Sequence, residues 1–240
     1  MRITVCENYD EMSKKAAQLV LAQVTLKPNS VLGFATGSTP LGLYENLSEM
    51  CSAGQIDFSN TVSFNLDEYY PIKKDDPNSY NAYMQENLFS KINIKRENAH
   101  LLNGETDDPE GECENYERMI GRVGGIDMQI LGIGSNGHIG FNEPDSVMYP
   151  YTHITHLTES TIKANSRFFS SVDEVPKKAL TVGILTILNS KRIILMANGA
   201  GKKQVISELL GDGMKLNLPA ALLKLHPDVT LICDKEAYPK

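Results

Sequence analysis

Three short stretches bring reactive side chains together in the sequence. "SFNLDEYYP" carries adjacent acids, Asp67 and Glu68, at the end of a strand-like run. A carboxylate there can act as a general base if a cleft desolvates it, and is a plain loop charge if water surrounds it. "LGIGSNGHIGFNEP" (131–144) places Asn136, His138 and Glu143 within eight residues. An imidazole moves protons near neutral pH, and a carboxylate beside it can orient the ring and favour its charged form. A histidine satisfied by a local turn would read the same way. "GFATGSTPLGLY" offers Thr36, Gly37, Ser38 and Thr39 just before Pro40, a residue suited to a first helical turn. Small residues let a ligand approach the backbone, and free N–H groups at a helix start can hold an anion. The alternative is a simple capped helix. The G-K-[ST] ending of a P-loop is missing, so a nucleoside triphosphate is not indicated. Arg167 in "ANSRFF" and Lys202 in "GAGKKQ" add basic groups that could pair with phosphate or stay solvated.

Gly132, Gly134 and Gly137 also spell G-x-G-x-x-G, the dinucleotide-binding fingerprint. That turn has to open a helix, and Pro144 interrupts any helix soon after it could begin. There is no obvious strand about 20 residues further on that ends in an acid for a ribose, and the motif does not open the first unit. A nicotinamide is therefore not expected at this loop.

Convergence of these loops requires a scaffold. Strands are expected at 2–7, 31–35, 61–67, 100–103, 127–134, 191–199 and 229–234. "ALTVGILTILNS" contains a further strand and a short helix. Helical spacing appears over 9–26, where Met12, Ala16, Leu19 and Val24 recur on one face, and helices are also expected at 39–54, 78–92, around 109–122 and near 201–210. Strands alternating with helices argue for an α/β fold, an open, mostly parallel sheet with helices on both faces. No linker or repeat divides the chain, so residues 1–240 read as one domain. The least patterned part, 144–178, is long enough for a mobile lid near 150–178. In such folds ligands sit beyond the carboxyl ends of the strands, where the three stretches lie.

The remaining features exclude several classes. The 240 residues are 41% hydrophobic and 22% charged, ordinary for a globular chain, and the net charge of −7 disfavours nucleic acid and anionic lipid as partners. Cys6, Cys51, Cys113 and Cys233 form no C-x-x-C pair, which argues against a zinc knuckle and fits a reducing cytosol. The opening "MRITVCENYD" lacks the apolar core of a signal peptide, and no run approaches the roughly 18 apolar residues of a membrane span. A cytoplasmic location is expected. His153 and His156 have no evident third ligand, so no metal is expected there.

Taken together, "GFATGSTPLGLY", "FNLDEYY", "LGIGSNGHIGFNEP", "ANSRFF" and "ALTVGI" resemble, in this order and over nearly the whole chain, the glucosamine-6-phosphate deaminase (isomerase) family. The most specific pieces are "GHIGFNEP" and "NLDEYY". The resemblance implies a Rossmann-like sheet and the conversion of glucosamine 6-phosphate and water to fructose 6-phosphate and ammonia, with neither cofactor nor metal. It implies Asp67 as the base between C2 and C1, and His138 as the ring-opening acid/base with Asn136 and Glu143 as partners. Phosphate is expected on Thr36, Gly37, Ser38, Thr39, Arg167 and either Lys202 or its neighbour Lys203. Glu68 and Gly137 are expected to touch the sugar. Monomer and homo-oligomer both remain open.

Two departures from better-known members matter. Asn136 stands where some carry Asp, and it can accept a hydrogen bond without adding charge. "YPYTHITHLT" has His153, Thr155 and His156 where allosterically activated members carry basic residues, so activation by an acetylated amino-sugar phosphate is not expected. A sugar-phosphate lactonase shares a related G-H loop but would not need Asp67 to remove a C–H proton. A non-catalytic sugar-phosphate sensor would need none of Asp67, His138 and Glu143.

Overall fold

The computed structural model describes residues 1–166, 169–215 and 217–239. Its frame is a seven-stranded sheet. The chain runs β1 (Arg2–Cys6), α1 (Tyr9–Leu26), β2 (Val31–Phe34), α2 (Leu41–Ser52), β3 (Val62–Asn65), β4 (Asp67–Tyr70) and α3 (Tyr80–Met84). Then come β5 (Ala99–His100), α4 (Pro109–Arg122), β6 (Met128–Leu131), β7 (His153–His156) and α5 (Glu159–Asn165). It finishes with β8 (Lys178–Thr181), α6 (Ile184–Leu188), β9 (Arg192–Ala197), α7 (Lys203–Leu210) and β10 (Val229–Asp234). The large sheet has the order β1-β10-β9-β6-β2-β3-β5, and its strands pair in parallel.

Strands buried on both faces explain the continuous apolar runs. In β9, Ile193, Leu195 and Ala197 face one core with α4, α6 and α7, while Ile194 and Met196 face a second core with α1 and α2. Helix boundaries follow local chemistry. Asn8 caps α1 by accepting from the Glu11 N–H, Asp108 caps α4 by accepting from Gly111, and Ser79 caps α3 by accepting from Ala82.

The expected α/β fold is present, with differences in detail. The run 61–67 is not one strand. At Leu66 the chain leaves the parallel sheet and enters a second, three-stranded antiparallel sheet of order β4-β8-β7. Leu66 is held on both sides of this change: its N–H donates to the Phe34 carbonyl at 3.1 Å, and its own carbonyl accepts from Val182 at 2.7 Å. Asp67 and Glu68 therefore begin a strand of the small sheet instead of ending one of the large sheet. The weakly patterned stretch holds β7 and α5, whose few apolar positions gave little periodic signal. Residues 78–92 form α3 followed by a π-helical turn over Gln85–Phe89, in place of one regular helix.

Candidate active site

The chain turns one way across the sheet after β2 and the other way after β6, and these two strands are neighbours. Such a switch point opens a crevice at the carboxyl ends of the strands. A cavity of about 400 Å³ lies there, of a size that suits a small ligand. Thr36, Gly37, Ser38 and Thr39 line it from the loop after β2, and Asn136 and His138 from the loop after β6. Asp67 lines it from the join between the sheets and Lys202 from the turn before α7. Lys203 does not line it. Arg167 lies outside the described residues.

The loop after β6 is a compact turn with no helix behind it. Its ends are tied by Gly134 N–H donating to the His138 carbonyl at 2.9 Å, and Gly137 N–H donates to the Gly134 carbonyl at 3.0 Å. A bridge between Ile139 and Asn142 follows. The dinucleotide fingerprint requires a helix to open directly after its turn, and none follows this one before β7. The glycines serve the histidine. A Cβ on Gly134 would stand 2.4 Å from the His138 ring, so only glycine allows the imidazole to lie over this backbone. Gly140, at φ +59°, brings the loop against Asp67: its Cβ position is 3.5 Å from Asp67 Oδ2.

His138 is oriented by an acid and an amide. Its Nδ1 is 3.3 Å from Glu143 Oε2, an ion-pair distance, although the angle is not that of a hydrogen bond. Asn136 donates through Nδ2 to the same Glu143 oxygen at 2.7 Å and accepts the His138 N–H through Oδ1 at 3.2 Å. Thr161 of α5 donates to the other oxygen, Oε1. With Nδ1 turned to Glu143, Nε2 is left for a ligand. Burial alone would raise the Glu143 pKa. The nearby imidazole and the bonds from Thr161 and Asn136 outweigh it and hold the carboxyl below its ordinary value.

Asp67 has the opposite environment. It is buried, and its Oδ1 has no hydrogen-bond partner among the described residues. Burial, helped by the neighbouring Glu68 charge, pushes its pKa up to about 8. Two carboxyl groups at this site are thus separated in acidity, Glu143 lowered beside the imidazole and Asp67 raised by burial.

Two expected sugar contacts do not line the cleft. Glu68 turns its carboxylate to the backbone, accepting from Tyr69 at 2.9 Å, Tyr80 at 2.8 Å and Asn81 at 2.9 Å. The last two are N–H groups at the start of α3, which lack helical partners, so Glu68 caps this helix. Burial raises its pKa to about 7 against the pull of these donors. A Glu68→Ala variant strips all three donors of their acceptor. It is expected to lose about 2–3 kcal/mol of stability in urea unfolding at pH 6; an unchanged midpoint would refute the capping role. Gly137 packs against Leu218, and its carbonyl accepts from the Ala220 N–H at 2.9 Å. Tyr80, Ser160, Thr161 and Asn165 also line the cavity, without having been expected to. One local signal pointed to α5: Thr158 is an N-cap, accepting from the Thr161 N–H.

Comparison with known proteins finds relatives of the chain along nearly its whole length. Residues 7–232 match the family model described as glucosamine-6-phosphate isomerases/6-phosphogluconolactonase. A protein of Halothermothrix orenii named glucosamine-6-phosphate deaminase is 56% identical over 237 residues, covering 99% of this chain and 98% of its own. One of the same name from Clostridium botulinum is 52% identical over 240 residues, covering 100% and 98%. A solved structure described as a monomeric glucosamine-6-phosphate deaminase superposes with a TM-score of 0.96 at 45% identity, covering 99% of this chain and 98% of that one. A 6-phosphogluconolactonase from Leishmania guyanensis shares the fold, with a TM-score of 0.79 at 20% identity and coverage of 98% and 97%.

Proposed function

The chain belongs to the family of glucosamine-6-phosphate isomerases and 6-phosphogluconolactonases, and from that premise we propose that it converts glucosamine 6-phosphate and water to fructose 6-phosphate and ammonia. The observation that carries this reading is the convergence on one cavity of Asp67 and of His138, whose Nδ1 faces Glu143. Relatives above 50% identity along essentially the whole chain bear the deaminase name.

The chemistry assigns each group a task. The phosphate sits on the loop of Thr36–Thr39 and on Lys202, through backbone N–H groups, hydroxyls and a point charge. His138 takes the proton of the anomeric hydroxyl and delivers one to the ring oxygen, which opens the ring. Glu143, fixed by Asn136 and Thr161, supports the imidazolium formed on the way. The aldehyde at C1 now acidifies the C2 proton. Asp67 removes it, giving an enolamine, and returns a proton to C1. The resulting C2 imine takes up water and expels ammonia, leaving the ketose. No electrons leave the sugar, so the scheme involves no redox partner. Helix α5, which supplies Ser160, Thr161 and Asn165 to the cavity wall, serves as cover over the bound sugar.

A lactonase would hydrolyse an ester and leave a carbon-bound base idle. The raised pKa of Asp67, whose Oδ1 has no hydrogen-bond partner among the described residues, favours the deaminase reading. The deciding experiment supplies glucosamine 6-phosphate and measures free ammonia and fructose 6-phosphate. Equimolar release of both is expected. Absence of ammonia, with hydrolysis of a phosphorylated sugar lactone, would replace this reading with the lactonase one.

A further inference from the structure

Three tyrosines from three helices meet on the back of the loop after β2. Tyr44 of α2 donates its hydroxyl to the Ala35 carbonyl. Tyr83 of α3 donates to the Gly37 carbonyl at 2.6 Å. Tyr9, the first residue of α1, donates to the Ser38 carbonyl at 3.1 Å and accepts from the Gly42 N–H at 2.7 Å. Among the described residues, the backbone N–H groups of Thr36, Ser38 and Thr39 have no hydrogen-bond acceptor.

In a trans peptide the C=O and the following N–H point in opposite directions across a rigid plane. A hydroxyl that anchors the carbonyl of residue i therefore aims the N–H of residue i+1 the other way. The anchored carbonyls are those of Ala35, Gly37 and Ser38, so the N–H groups aimed away from the tyrosines are those of Thr36, Ser38 and Thr39. All three residues line the cavity. We propose that Tyr9, Tyr44 and Tyr83 are positioning residues for the anion subsite, holding three peptide planes so that donors, and not carbonyl oxygens, face the phosphate. This rests on the reading of that loop as the phosphate subsite.

The arrangement does more than satisfy buried hydroxyls. The bonds fall within four consecutive residues, and they come from helices that begin at residues 9, 41 and 80. Burial raises the pKa of both Tyr44 and Tyr83, so these two hydroxyls stay protonated as donors across the working pH range. Removing one frees its peptide plane to rotate. Rotation exchanges an N–H aimed at the phosphate for a carbonyl oxygen, which repels it.

Tyr83 and Tyr9 are the ones to test, since both rings are only partly buried while Tyr44 is fully enclosed. The measurements are the calorimetric affinity for inorganic phosphate, and kcat and KM for glucosamine 6-phosphate, on full-length Tyr83→Phe and Tyr9→Phe. Phosphate affinity is expected to weaken about fivefold to tenfold in each, with KM rising by a similar factor. The fall in kcat is expected to stay below about twofold. A general loss of packing would instead lower the unfolding midpoint and spare the ratio of KM to kcat. If Tyr83→Phe does not fold, Tyr9→Phe decides. Phosphate affinity and KM unchanged in a folded variant overturn the proposal and leave the deaminase reading intact. Wild-type protein that binds no phosphate also overturns it. Phosphate affinity that falls in the variants, in a protein that releases no ammonia, supports the positioning role and removes the deaminase reading.

Discussion

Asp67→Asn is expected to bind a phosphorylated sugar with near-normal affinity and to release ammonia about 10³–10⁴-fold more slowly than the parent, the scale of a lost general base. The amide keeps the shape and cannot accept the C2 proton. The same substitution is expected to make the protein more stable at alkaline pH. The carboxyl of Asp67 has a folded-state pKa of about 8, raised by burial and by the adjacent Glu68, against roughly 3.9 in an unfolded chain. Between those values the folded form holds the proton more tightly. That contribution is complete below about pH 4 and is lost as pH rises through about 8. Asparagine has no proton to lose, so Asp67→Asn escapes the decline. A melting temperature about 2–5 °C higher than wild type at pH 8.5, with a smaller difference at pH 5, is the expected pattern. The acid limb of kcat/KM in the wild type, which reports the coupled Asp67 and Glu68 carboxyls, should sit in the neutral range. Turnover within tenfold of wild type would remove Asp67 from the base role.

His138→Gln is the second large effect. Loss of the ring-opening acid/base is expected to lower kcat/KM on the cyclic substrate by about 10²–10³-fold. The defect has a kinetic signature. Glucosamine 6-phosphate opens spontaneously at a fixed rate, and a variant able to process only the open form is limited by that supply. Velocity should therefore level off as variant concentration increases, whereas wild-type velocity stays proportional to enzyme over the same range. A velocity that stays proportional for the variant, at a uniformly lower level, would show that His138 works in a later step. Because Glu143 Oε2 also holds Asn136 at 2.7 Å, the loop should survive loss of the ring, so the comparison reads chemistry and not collapse.

The sequence was most legible where the physics is local. A small-residue loop before Pro40 and a His-Glu loop after an apolar strand could both be read from composition and spacing, and both line the cavity. The helical spacing over 9–26 coincides with α1, and the helix expected around 109–122 coincides with α4. What could not be read depends on partners distant in sequence. The run 61–67 looks continuous because Val62, Phe64 and Leu66 alternate through it as in one strand. The change of sheet at Leu66 is made by Phe34 on one side and Val182 on the other, which no local pattern announces. Glu68 resembled a second cleft acid because it adjoins Asp67. Its partners at the start of α3, Tyr80 and Asn81, lie twelve and thirteen residues on, and they turn it into a helix cap. Helix α5 was obscured by polar composition, although its threonine cap was present in the sequence.

The break at Leu66 has a geometrical consequence. Asp67 rides on the small sheet and the Thr36–Thr39 loop follows a strand of the large one, and at Leu66 the chain passes directly from one sheet to the other. A hexose phosphate is a ruler of fixed length from its phosphorus to each carbon. With the phosphate on that loop, as proposed, the tilt of one layer on the other would select which carbon the Asp67 carboxylate meets. On such a scaffold, a small change in that tilt would carry the carboxylate along a bound sugar while the grip on its far end stayed as it was.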